Sequence, residues 1–305
     1  MRLAIVGYGK AARDKHIPAV TATPGIDLVA IASPNGGLDG IPWFPTLEAL
    51  LASDTDFDAV ALCTPPQTRH HQAALALEAG LHVLLEKPPG ATVSEVTDLS
   101  DIARRTNQTL FATWHSRFAR GVEHARKLID TNGAKSIEIT WRENVHVWHP
   151  GQDWIWQPGG LGVFELGISA ISILTEIVAE KLVVTAAELS IPSNRDKPIA
   201  ANVSLVGDSG LAVTAIFDFR QKRDEMWEIE VKSDTGIFAL SHGGSVLTMD
   251  GRILAAGPLH KYRGIYQRFL ELVQTGTSDV DTAPLAHVEE AFRVGRRIAV
   301  EPFED

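Results

Sequence analysis

The sequence predicts an α/β Rossmann-type domain, a doubly wound parallel sheet, followed by a C-terminal α+β domain with an open, mainly antiparallel sheet. Three observations predict it. Short, wholly apolar runs alternate with helical patterns through the first third of the chain. A Gly-x-Gly-x-x-Ala turn lies between the first run and the first helical pattern. Beyond residue 117 the runs lengthen and begin to alternate in polarity. The expected boundary divides a first domain, 1–117, from a second, 118–305.

Taken in order, Leu3–Val6, Asp27–Ala32, Asp58–Cys63, His82–Leu85 and Thr109–Thr113 read as strands buried on both faces. Helical patterns at Lys10–Ala22, Thr46–Ala52, Gln67–Ala79 and Ser94–Thr106 separate them. Strand–helix repetition of this kind requires right-handed crossovers and a parallel sheet. In the second domain, Ser136–Val145 reads as a long strand, and a loop rich in Trp, His and Gly runs from His146 to Gly160. A helix is expected over Leu161–Val178. Strands are expected over Leu182–Ile191, Ala200–Val206, Leu211–Phe219, Met226–Lys232 and Gly236–Leu240. Helices Tyr262–Thr275 and Pro284–Val300 close the chain.

The turn Gly7-Tyr8-Gly9-Lys10-Ala11-Ala12 follows a strand and opens a helix, the context in which this pattern binds a dinucleotide. Gly7 permits the tight turn, and Gly9 lets the backbone approach a pyrophosphate. Lys10 and Ala11 begin a helix whose free N–H groups face the phosphates. The second strand ends in Ala32-Ser33-Pro34-Asn35. No carboxylate stands there to repel a 2′-phosphate and no arginine to bind one, so Ser33 is expected to serve NAD or NADP. Thr64, Pro65 and Pro66 follow the third strand and are expected to shape the loop over the nicotinamide ribose.

The fourth strand ends in Glu86-Lys87-Pro88-Pro89, a charged pair directly after a buried run. Together with Gly7–Ala12, Thr64-Pro65, Ala79–Val83 and Gly159-Gly160, this motif resembles the glucose–fructose oxidoreductase, inositol dehydrogenase and rhizopine-catabolism (Gfo/Idh/MocA) family. Pro65–Gln67, Glu86–Thr92, Phe111–Arg117, Trp148–Gln152, Trp154–Trp156 and Pro158–Phe164 are similar to the family's bacterial sugar 1-dehydrogenases. That resemblance implies NAD(P)-dependent oxidation of D-galactose, L-arabinose or both at C1, giving the lactone. It places Lys87 between nicotinamide and sugar, with Glu86 orienting it, and puts Arg69 where relatives often carry a cofactor-side histidine. A partly buried lysine can take part in removing the hydroxyl proton. The Lys87–Pro88 bond is a candidate for the cis state.

The resemblance also assigns the sugar side. Glu165 is the second catalytic candidate, and His115, Glu143, Trp148, His149, Ser169 and Trp227 are the substrate-binding candidates. Glu165 and Ser169 replace the family's usual Asp and His or Asn, but their spacing of four keeps both on one helix face. Tryptophan faces suit the C–H face of a pyranose, while Trp154 and Trp156 suit a structural role better. The departure at Glu165 and Ser169 keeps open oxidation at another carbon of a sugar or cyclitol. A non-catalytic dinucleotide-binding regulator is the third reading, opposed by the presence of Lys87 and Glu165.

Composition narrows the classes further. The net charge of -10 over 305 residues argues against a nucleic-acid partner. No run approaches the ~20 apolar residues of a membrane span. The one cysteine, Cys63, allows no intramolecular disulfide, and the first apolar run is too short for a signal-peptide core, so a cytoplasmic protein is expected. His70-His71 and His146 with His149 lack the spacing of a chelate, so no metal is expected. By the family resemblance the second domain binds the substrate and its sheet pairs face to face with a copy of itself, a face that a monomer would leave exposed, so a homodimer or higher homo-oligomer is expected.

Overall fold

The computed structural model describes residues 1–257 and 261–304. The chain divides into two compact units. The first holds Met1–His115 and a C-terminal return ending at Thr282; the second holds the chain from Ser116 and the segment from Ala283. The division therefore differs from the single boundary expected at 117, because a late helix belongs to the first unit.

In the first unit β1 (Arg2–Val6), β2 (Asp27–Ala32), β3 (Trp43–Phe44), β4 (Ala59–Leu62), β5 (His82–Leu85) and β6 (Leu110–Ala112) form one sheet. Its order is β3-β2-β1-β4-β5-β6 and every pairing is parallel. Alternate residues face opposite layers. Ala4, Val6, Val60, Leu62, Val83 and Leu85 pack against α2 (Leu47–Leu51), α3 (Pro66–Glu78) and α4 (Val93–Thr106). Leu3, Ile5, Ala59, Ala61 and Leu84 pack against α1 (Ile17–Thr21) and α8 (Lys261–Thr275). α8 presents Ile265, Tyr266, Phe269 and Leu272 as one apolar stripe. Two-sided burial is what makes the strands continuously apolar, and it is also why the chain must return to cover the second face.

The second unit is built on a nine-stranded sheet. Its strands are β7 (Ser136–Arg142), β8 (Leu182–Pro192), β9 (Ala200–Gly207), β10 (Ala212–Asp218), β11 (Met226–Ser233), β12 (Gly236–Ser241), β13 (Val246–Met249), β14 (Arg252–Ala256) and β15 (Arg296–Val300). The order is β14-β13-β12-β11-β7-β10-β9-β8-β15, antiparallel except for β10 with β7 and β15 with β8. Helices α5 (Val122–Asn132), α7 (Phe164–Ile177) and α9 (Ala283–Val294) complete it. Gly167 of α7 packs against the Phe217 ring of β10, where a Cβ would stand 2.9 Å from the ring. Val183, Val206, Ile216 and Ile237 remain exposed.

Two expectations need correction, and one hairpin lies outside them. The strand expected to reach Val145 ends at Arg142, because Asn144 caps a short helix, α6 (Val145–Trp148), accepting from the His146 N–H at 3.0 Å. The helix expected to reach Val300 stops at Val294, and Arg296–Val300 instead pairs with the edge of β8. The β13–β14 hairpin was not anticipated, although its Asp250-Gly251 turn carries the two positive φ angles of a tight hairpin.

Candidate active site

The sheet order reverses between β1 and β4, the place where parallel α/β sheets receive ligands at their carboxyl ends. Gly7 leaves β1 there with φ of +95°, and its N–H donates to Ala32 O at 2.8 Å. A Cβ on Gly7 would stand 3.0 Å from the main chain of Cys63 and Thr64. At Gly9 a Cβ would meet nothing within 4 Å, so this glycine faces open space. Ala12 is fully buried against the sheet. A strained turn, an open cradle and a close-packed helix together fit a pyrophosphate. Lys10 is exposed and pairs with Asp14 at 2.5 Å, and Ala11 lies in the first turn of the same helix.

Ser33 follows β2 and is 2% exposed. Its hydroxyl accepts from the Asn35 N–H at 3.2 Å, and its carbonyl accepts from the Trp43 indole at 2.8 Å. The side chain thus shapes the turn after β2 instead of standing open. Aspartate can accept the same N–H in the same turn. Ser33→Asp is therefore expected to fold normally while its carboxylate lowers kcat/KM for NADP relative to NAD by roughly tenfold or more. Paired kinetics with both cofactors check this, and an unchanged ratio would remove position 33 from cofactor choice.

After β4, the Thr64 hydroxyl donates to Gln72 Oε1 at 2.6 Å, Pro65 caps α3, and Pro66 occupies its first turn. Arg69, from the same helix, is buried, and its guanidinium donates to the carbonyls of Thr64, Glu86 and Pro88. It therefore clips the two loops together.

These clips surround Lys87. Its flanking carbonyls are held by Arg69, and its own N–H donates to Glu86 Oε2. The Lys87–Pro88 bond is cis. The side chain is partly exposed, whereas Glu86 is 4% exposed. Burial alone would raise the Glu86 carboxyl, but the neighbouring His16 imidazole, with Lys87, holds it well below the usual carboxylate range. His115 stacks on Tyr262 with ring centres 5.4 Å apart, and burial pushes its imidazole down to about 3, so it is neutral. Sequence reasoning missed His16, Tyr262 and Tyr266, whose contacts to this site span 70 or more residues.

In the second unit, β7 leads directly to Glu143, whose N–H donates to Asp218 O at 3.1 Å. Its buried carboxylate lies 3.3 Å from His149 Nε2, while His149 Nδ1 lies 3.2 Å from Gln152 Oε1. Trp148 and Trp227 meet at 4.9 Å between ring centres, and Trp141 stacks on Trp227 at 6.3 Å. Among the described residues the buried indole N–H of Trp227 has no hydrogen-bond partner. Trp156 is core, packed on Phe219 and Phe303. A Cβ on Gly160 would overlap the carbonyl oxygens of Trp154 and Ile155, so this loop closes only with glycine there. Glu165, 3% exposed, and the partly exposed Ser169 stand four residues apart on α7. Among the described residues no group of three or more His, Cys, Asp and Glu is arranged to hold a metal ion. Among the described residues no helix is long and apolar enough to cross a membrane.

The parallel sheet, its order and the glycine cradle at the reversal point define a dinucleotide-binding α/β protein. A family model described as "Oxidoreductase family, NAD-binding Rossmann fold" (GFO_IDH_MocA) matches residues 1–113. The chain is 41% identical to galactose 1-dehydrogenase of Pseudomonas fluorescens, covering 100% of this chain and 99% of that protein. It is 47% identical to the D-galactose-1-dehydrogenase protein of Rhizobium etli, whose crystal structure matches with a TM-score of 0.94 over 99% of this chain and 97% of that one. A 3-ketoreductase from Actinomadura kijaniata matches with a TM-score of 0.85 over 98% of this chain and 99% of that one; at 20% identity it shows the fold alone. The chain belongs to the Gfo/Idh/MocA oxidoreductase family.

Proposed function

We propose that the protein oxidises the C1 hemiacetal of D-galactose, L-arabinose or both to the aldonolactone, with NAD or NADP as acceptor. The observation that carries this reading is the 41% identity to a galactose 1-dehydrogenase over essentially the whole of both chains, substrate unit included. The two sugars share their configuration at C2, C3 and C4, so one set of contacts can serve both.

Oxidation at C1 breaks the C1–H and O–H bonds and forms the lactone carbonyl. When bound, the nicotinamide supplies the two-electron, hydride-accepting chemistry. The chain's own task is to take the hydroxyl proton, and Lys87 and Glu165 are the groups proposed to assist it. The fixed main chain around Lys87 supports this role, because it restricts where the amine can point. Glu143, His149, Trp148, Trp227, Ser169 and His115 are the proposed sugar contacts. The Trp227 N–H, without a partner among the described residues, and the Glu143–His149 pair are donors and acceptors of the type sugar hydroxyls need. A homodimer is proposed as well, supported by the apolar residues left exposed on the second sheet.

A panel of aldoses and inositol, each with NAD and with NADP, tests the activity through the absorbance of the reduced nicotinamide. Turnover of galactose or arabinose to a lactone is the expected result. Turnover of inositol alone, or of no polyol, would end the proposal.

A further inference from the structure

Below the Lys87 loop lies a cluster of buried polar side chains. His16 closes a π-helical turn, Ala12–His16, in which the Ile17 N–H donates to Ala12 O, five residues back. Arg13, Asp14 and Lys15 stay exposed, while the wider turn leaves His16 fully buried. Its Nδ1 lies 2.7 Å from the Tyr266 hydroxyl. Its Nε2 lies 3.6 Å from Glu86 Oε1, beyond a direct hydrogen bond but within ion-pair range. The Tyr262 hydroxyl donates to that same oxygen. The other oxygen, Oε2, accepts from the Lys87 N–H and lies 3.5 Å from the Thr113 hydroxyl. One side of the carboxylate thus faces His16 and α8, and the other faces the lysine.

We propose that His16 and Tyr262 are positioning residues for Lys87, acting through Glu86: they hold its carboxylate charged and oriented, so that it fixes the Lys87 main chain and keeps a negative charge beside the Lys87 side chain. The role rests on the reading of Lys87 as a proton-handling group. The electrostatics agree with the geometry. Burial alone would lower His16, but Cys63 and Glu86 outweigh it and raise the imidazole. The groups facing this pair are Cys63 at the end of β4, Lys87 beyond β5, His115, and Tyr262 and Tyr266 of α8. Burial, with Glu86, pushes Tyr262 well above the ordinary tyrosine value, so its hydroxyl remains a donor. Lys261 acts on His115, and burial pushes its ammonium down to about 8, with a further lowering from Lys15.

The test compares wild type with His16→Gln, which keeps a polar side chain but no titratable charge. Burial then acts on Glu86 without the opposing imidazolium, and the carboxyl gains a proton at higher pH. The expected result is an acid-side fall in kcat of roughly tenfold that wild type lacks, with KM for NAD(P) unchanged. The double variant H16Q/E86Q should be slow at every pH and lose the step. Tyr262→Phe removes one hydroxyl from the same oxygen and should give a smaller step in the same direction, which keeps the test available should H16Q fold poorly.

A second readout needs no substrate. Glu86, lowered in the fold, contributes stability above the ordinary carboxylate value of 4.5 and loses it as pH falls through its folded value. His16, raised in the fold, contributes below the ordinary imidazole value of 6.5 and loses it as pH rises through its folded value. The excess in Tm of ligand-free wild type over H16Q should therefore peak between pH 4.5 and 6.5 and shrink toward alkaline pH. A pH-independent Tm difference overturns the charged pair. Parallel kcat profiles for active wild type, H16Q and Y262F overturn the positioning role even if the Tm difference is present. Wild type that oxidises no aldose overturns the activity reading instead, whatever the Tm profile.

Discussion

Lys87→Ala is expected to lower kcat for aldose oxidation by about 10²–10⁴-fold, the range that general acid–base assistance supplies. The cofactor should still bind, and the protein should still fold. The reason lies in how the loop is held. Arg69 bonds the carbonyls on either side of Lys87, and Glu86 bonds its N–H, so the clamps use main-chain atoms that alanine retains. Truncation therefore removes the amine without releasing the loop. Cofactor titration by fluorescence, thermal melting and steady-state kinetics separate the three quantities. Turnover within tenfold of wild type would remove Lys87 from the chemistry. Loss of cofactor binding together with turnover would make it a cofactor contact first.

The second large effect is expected at the two glycines of the first turn, which should fail in different ways. Gly7→Ala forces a side chain onto a positive-φ residue, with a Cβ 3.0 Å from the main chain of Cys63 and Thr64. Strain of this kind costs about 1–3 kcal/mol, and β4 cannot move aside because its residues are buried in both layers. A lowered Tm and weaker NAD(P) binding are expected together. Gly9→Val meets no protein atom within 4 Å of the new Cβ. Its Tm should match wild type, while its larger side chain fills the cradle and raises the NAD(P) Kd by roughly tenfold or more. Equal Kd values for wild type and Gly9→Val would mean that the pyrophosphate does not approach position 9.

The elements that could be read from the residues were those whose cause is local. β1, β2, β4 and β5 are continuous apolar runs, because each must be buried on both faces. The glycine turn carries its own signature, since its backbone angles admit few other residues. Asp250-Gly251 was equally local and still went unread, because the strands it joins are short and half exposed. β15 was hidden for the opposite reason. Arg296–Val300 continues a helical pattern in sequence, and its extended state comes from pairing with β8, more than a hundred residues earlier.

Among the candidate site residues, Gly7, Gly9, Glu86 and Lys87 announced themselves by position at strand ends, and Glu165 with Ser169 by the family resemblance, with which their helical spacing agrees. His16 did not. A histidine between Lys15 and Ile17 looks like any surface residue of a helix, until the π turn buries it against a tyrosine 250 residues away. Arg69 was legible as a candidate, but the three carbonyls of two loops that its guanidinium bonds were not, because the fold alone brings those loops together.

The sequence by itself determined the parallel sheet, the cradle for a dinucleotide and the presence of a lysine at the tip of β5, since each follows from burial periodicity or from the backbone freedom of particular residues. Only the tertiary structure decided that α8 closes the first unit, that β15 is a strand, and that Lys87 stands on a clamp made by Arg69, Glu86, His16 and Tyr262. Those outcomes depend on partners far apart in the chain, and the energy of a buried hydrogen bond or ion pair is defined only once folding has brought both members together and removed the water between them.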